Sequence, residues 1–254
     1  MDLKNFKENL KVLEPERYAA SLIGSVSDQK KLQYLYAFNY EISKAAWISK
    51  EPLICQIRLE WWKNSFSNAS VINSHELIRE MKGMCESFSI PIKLIGEMID
   101  ARYWDINSAA FKSKEDQDNY IDRTYGNLFW IGAQLLGADR NLESLIRNYA
   151  YGAGISSFLL AAPMLISKNK KPFIENNDKH IKNLAENALI KFKVSKNALK
   201  LQKSLFPVLL SAWQTEKMLK RVIKSPKLVC SNDLKLSELE RKWSFMWKII
   251  FEKL

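Results

Sequence analysis

The side chains that can do chemistry are few in this sequence. Its only histidines, His75 and His180, have no Asp, Cys or Ser at a spacing that builds a catalytic triad or a metal site, so both are expected at the surface. Asp118 and Asp122 form a DxxxD pair, and one helical turn puts both carboxylates on one face, where they can share a divalent cation. A structural role competes with this and is preferred. Glu115, Asp116 and Asp118 crowd the first turn of an expected helix, where the backbone dipole favours negative charge. Cys55, Cys85 and Cys230 are odd in number and far apart, which fits reduced core thiols better than a disulfide framework or a zinc site. No glycine-rich phosphate loop, GxSxG elbow or HExxH pattern occurs. Trp61 and Trp62 are adjacent in IRLEWWKNSF, so on a helix they diverge by about 100° and one ring turns to the core while the other meets a neighbouring helix.

Helices must position these groups. Gly 8 and Pro 7 in 254 residues are roughly half the usual share of about 12%, and turn-rich β proteins consume these two types most. Pro15, Pro52 and Pro91 stand where a first helical turn tolerates a missing N–H, which predicts helices from Glu14, Pro52 and Pro91, with another from Asp28. Ser74 is expected to begin a helix that buries Leu77, Ile78 and Met81, and Ser113 one that runs to Leu136 and stops at Gly137. A long helix is expected over 141–166, followed by a basic loop, and Pro207 is expected to divide 179–221. The stretches 128–138 and 149–166 are apolar all round, so they should wall the interior, whose space is either filled or left as an apolar pocket.

A length of 254 residues with 47% hydrophobic and 26% charged suits one domain, 1–254, with a sizeable core. Charge is uneven: residues 1–167 hold 19 Lys/Arg against 20 Asp/Glu, whereas 168–254 hold 20 against 8, a net of +12. Such a basic third meets an anionic membrane surface or merely decorates solvated helix faces. Nucleic acid is not expected as a partner, since no helix-turn-helix, zinc-finger or RNP pattern is present. The first residues include acids and no apolar run, so neither a signal nor a transit peptide is read there, and a cytoplasmic protein is expected. Residues 148–167 carry no charge and are long enough to cross a bilayer, but Asn148, Pro163, two Gly and three Ser favour a buried central helix.

Several motifs, in order, resemble the squalene/phytoene synthase superfamily. KLQYLYAFNYEISKAAW is similar to its first aspartate-rich helix, IRLEWWKNSF to its IRLxWWRDxL segment with Asn64 replacing the acid, and MIDARYWDI to a segment preceding the central helices. YIDRTYGNLFWIGAQLLGA and AYGAGISSFLLAAP follow where the family has its YxxxTAG segment and second aspartate-rich motif. The resemblance implies an all-α, isoprenoid-synthase-type helical bundle with a central apolar cavity. It also implies that Tyr36, Tyr40, Ser43, Lys44 and Trp47 face Ser157, Leu160 and Ala161 across that cavity.

The departures from the family's pattern bear on function. Active relatives hold Mg²⁺ with two aspartate clusters, and the ions neutralise a departing diphosphate. Here Ser43, Lys44 and Trp47 occupy the first cluster with Tyr40 replacing its arginine, and Ser157 and Ala161 occupy the second with Leu160 replacing the neighbouring arginine and Leu165 one turn on. No carboxylate is left in either, so no catalytic residue, metal or cofactor is expected. DARYWD, LLAAP, FPVLLSAWQTEKMLKRVIKSP and LSELERKWSFMWKII resemble the non-catalytic complex I assembly factor branch and its bacterial relatives. That resemblance implies an assembly or binding factor, with a membrane surface and a respiratory-complex subunit or lipid as partners, peripheral at the inner face of the membrane. The alternative is a divergent prenyltransferase that condenses isoprenyl diphosphates with Mg²⁺.

Overall fold

The computed structural model describes residues 3–107, 109–231 and 233–251; among them helices follow one another and no strand occurs. Local chemistry sets the starts. The Val26–Ala45 helix opens at Ser25, whose Oγ accepts the Asp28 N–H at 3.2 Å, and Asn177 caps Asp178–Leu199 by accepting the His180 N–H at 2.8 Å. Pro15 and Pro52 occupy the first turns of Pro15–Ser21 and Pro52–Ser65, and Pro91 precedes Ile92–Ala101. A Leu3–Leu13 helix, not anticipated, buries Phe6 and Leu10 one turn apart and packs on Val26–Ala45.

Three boundaries differ from expectation, each for a local reason. Ser74 ends a short Ala69–Ser74 helix capped by Asn68, and His75 takes the extended position before Glu76–Ser87; Leu77, Ile78 and Met81 are buried as expected. The single helix expected from Ser113 does start there, as Lys114–Ile121, but widens into a π turn at Asp122–Gly126 before continuing as Asn127–Leu135. Thr124 Oγ1 donates to the Tyr120 carbonyl at 2.6 Å, and this bond loosens the local ladder. Gly137, at φ 84°, ends the run in the left-handed conformation that favours glycine. In the C-terminal third the chain leaves the helix after Leu199, before Pro207, which instead lies in the first turn of Phe206–Leu210; Thr215–Lys224 follows.

The Glu143–Ser167 helix, foreseen as central, is long and apolar enough to cross a membrane, and most of its apolar length is buried within the fold. It packs against Asp178–Leu199 and the π turn. Gly152 and Gly154 permit this: a Cβ at Gly152 would lie 2.6 Å from Phe192 Cβ, and one at Gly154 would lie 2.7 Å from Ile121 Cγ2. The core divides into a cluster around Phe38, Leu59, Trp62 and Tyr149 and another around Ile155, Leu159, Ala185 and Leu219. Trp62 is buried, edge-on to Phe38 at 5.8 Å, while Trp61 is only partly buried and lies under the Arg58 guanidinium at 4.5 Å. Cys55 and Cys85 are buried thiols; Cys230, also expected inside, is exposed on the short Leu228–Ser231 helix, which turns Val229 inward instead.

Candidate functional site

Ala153, Ser156, Ser157 and Leu160 lie at i, i+3, i+4 and i+7 on the central helix and wall a cleft of about 340 Å³. Tyr125 and Phe129 close one side, Glu14 and Arg17 another, and Ser211, Gln214, Leu236 and Arg241 the rest. Its lining therefore combines apolar rings and methyls with fixed charges. Arg17 is the organising residue. Its guanidinium pairs with Glu14 at 2.8 Å and lies 5.5 Å from the Tyr125 ring centre and 6.0 Å from that of Tyr36. Burial works against its charge, but Glu14, Tyr125 and Tyr36 outweigh burial and hold the group protonated.

Of the eight residues expected to line a cavity, Ser157 and Leu160 line this cleft and the other six do not. Tyr36 is fully buried behind Arg17 and beside Ser211, and burial pushes its pKa up to about 12. Tyr40 is half-buried, and the exposed Lys44 side chain turns back over its ring at 5.8 Å, away from the interior. Ser43 donates its hydroxyl to the carbonyls of Asn39 and Tyr40 on its own helix. Trp47 packs against the second core cluster, as do Leu160 and Ala161. The ammonium groups of Lys168 and Lys170 lie 5.1 and 5.3 Å from the Trp47 ring centre, just past the end of the central helix. Thus Ser157 and Leu160 share the cleft, Tyr36 backs it through Arg17, Trp47 and Ala161 share one apolar cluster, and Lys44 lies outside.

These groups do not fit a magnesium–diphosphate centre. Mg²⁺ takes carboxylate and phosphate oxygens, whereas the aligned positions offer a hydroxyl bonded to its own helix, an indole, a second hydroxyl and a methyl. Among the described residues no three His, Cys, Asp or Glu side chains gather closely enough to hold a metal ion. Asp118 and Asp122 are committed elsewhere: Asp118 accepts from Tyr151 Oη at 2.8 Å and pairs with Lys114, and Asp122 pairs with Arg147 at 2.9 Å. His75 and His180 are only partly exposed. His75 lies edge-on to Trp61 and Trp62, its pKa lowered by burial, because the bend after Ser74 turns it inward.

Beside the first motif lies a buried polar network that spacing did not reveal. Arg102 Nη2 donates to Asn39 Oδ1 at 3.2 Å, Arg102 Nη1 to Asp105 Oδ2 at 3.4 Å, and Tyr120 Oη to Asp105 Oδ1 at 2.9 Å. Burial raises the Asp105 pKa, and Arg102 and Tyr120 oppose that rise. Lys170 Nζ closes the same region by donating to the carbonyls of Ile106, at 2.8 Å, and Asn107. DARYWD and YIDRTYG supply three of these residues, so the motifs were visible even though their contact was not.

The family model for squalene/phytoene synthase matches residues 13–157. Assembly factor 6 of NADH dehydrogenase (ubiquinone) complex I from Mus musculus is 24% identical over 166 residues, 64% of this chain and 50% of that protein. Its Homo sapiens counterpart is 22% identical over the same length, so the chain spans about half the length of the curated relatives it matches. Among solved structures, a squalene synthase from Alicyclobacillus acidocaldarius superposes with a TM-score of 0.70 at 9% identity, covering 89% of this chain and 94% of that one. A dehydrosqualene synthase solved with a ligand gives 0.71 at 10% identity, covering 99% and 96%. The fold is that of the isoprenoid synthases, and with the family model spanning more than half of the sequence, the chain belongs to the squalene/phytoene synthase family.

Proposed function

We propose that this protein uses the family's bundle as a binding scaffold, without metal-dependent prenyl transfer, and serves the assembly of a respiratory complex. The observation that carries this reading is the chemistry at the aligned positions. Ser43, Trp47, Ser157 and Ala161 offer no carboxylate, and two ammonium groups flank Trp47. A departing diphosphate needs divalent charge that such a set does not collect. The similarity to complex I assembly factor 6 supports the assembly role. On this reading no cofactor is required, and the partners are a respiratory-complex subunit or lipid. The basic third, net +12 over residues 168–254, holds the protein peripherally at the inner face of the membrane.

Deleting the gene and resolving the host's respiratory complexes on native gels tests the role. The expected result is loss of assembled complex I, restored by the wild-type chain. Intact complex I together with loss of an isoprenoid product would support the prenyltransferase reading instead.

A further inference from the structure

The Glu238–Ile250 helix is apolar on two sides. Inward, Phe245 meets Trp213 with ring centres 5.7 Å apart, and Ile249 packs on the second core cluster. Outward it carries Leu239, Trp243, Met246, Trp247 and Ile250, each at least 50% exposed. At 3.6 residues per turn these five positions fall within about 100° of arc, a continuous stripe rather than scattered apolar residues. Phe251 extends it, stacking on Trp247 at 4.8 Å.

The surroundings of this stripe are cationic. Lys242 borders it, and Lys217, Lys220 and Lys224 are exposed on the adjoining Thr215–Lys224 helix. The two carboxylates of the helix's first turn are already neutralised, Glu238 by Lys242 at 2.7 Å and Glu240 by Lys217. Lys220 likewise pairs with Glu216, but the two helices together hold seven Lys and Arg against three Glu, a net of +4. An exposed tryptophan-rich face beside that excess complements a surface that is apolar beneath and anionic above, which describes a bilayer with acidic headgroups.

We infer that the Glu238–Ile250 helix lies in the interface of an anionic bilayer, with Trp243 and Trp247 at headgroup depth and the neighbouring lysines over lipid phosphates. This deepens the membrane part of the proposed function and rests on it. The same helix supplies Arg241, and the segment before it Lys235 and Leu236, to the cleft, so docking brings the cleft beside lipid.

The full chain would be sedimented with vesicles of phosphatidylcholine alone, and of phosphatidylcholine with phosphatidylglycerol, the latter with and without brominated acyl chains. The expected result is binding to the phosphatidylglycerol vesicles, with tryptophan emission quenched by bromine. The double variant Trp243→Ser/Trp247→Ser should bind on the order of tenfold more weakly, with an unchanged circular dichroism spectrum; Trp247→Ser alone, as a milder change, should lose part of the binding and of the quenching. Unchanged binding by both variants would overturn the inference while leaving peripheral attachment through the basic surface standing. Self-association lost in the double variant, without vesicle binding, would also overturn it and assign the stripe to a second copy of the chain.

Discussion

Ser43 shows how little a single position says until its partners are known. Its place in the first motif is visible in the sequence, but only the structure shows its hydroxyl spent on the carbonyls of its own helix. Arg17 was not legible at all, because its role depends on Tyr125, more than a hundred residues away, and on Tyr36 behind it. The Arg102–Asp105 pair is intermediate: DARYWD puts the two residues three apart, but nothing local says that they are buried or that Asn39 and Tyr120 complete the network. Since removing one partner leaves a buried charge uncompensated, Arg102→Met should cost about 3–5 kcal/mol in urea unfolding. A loss below about 1 kcal/mol would show that solvent reaches Asp105 and that the network is not closed.

The helices as elements were largely legible, because proline, capping residues and apolar period act locally. What escaped were junctions decided by competing bonds, such as the π turn at Asp122–Gly126, and the Leu3–Leu13 helix, whose stability comes from burying Phe6 and Leu10 against a neighbour. Contacts between helices test the central packing. Gly152→Ala would place a methyl against Phe192 and Ala188 on the facing helix, so it should destabilise by about 1–3 kcal/mol in a denaturant titration, whereas an unaffected midpoint would mean that the two helices part freely. Glu216 ties the Thr215–Lys224 helix to Asp178–Leu199. Burial alone would raise its pKa, but bonds from Lys196 and Lys220 prevail and bring it from the ordinary 4.5 down to about 2. A depressed carboxylate contributes stability that is complete above the ordinary value and lost as pH falls towards the folded one. Glu216→Gln should therefore flatten the acid loss of stability between about pH 4.5 and 2, which thermal melts across that window would detect.

At the scale of the whole molecule, the family fold encloses a mixed polar and apolar cleft, and Ser43, Lys44, Trp47, Ser157 and Ala161 bring no carboxylate to the positions expected to hold aspartates. The fold was readable because the order of motifs spans most of the chain. The cleft's polar side was not, since it is assembled from Glu14, Arg17, Gln214 and Arg241, drawn from opposite ends of the sequence. A scaffold without metal-dependent prenyl transfer must leave isoprenyl diphosphates intact. Incubation of the purified chain with farnesyl diphosphate and Mg²⁺, with released diphosphate as the readout, should give no more than a protein-free control, because no paired carboxylates hold the metal against the leaving group. Diphosphate release above that control, abolished by a chelator, would contradict it.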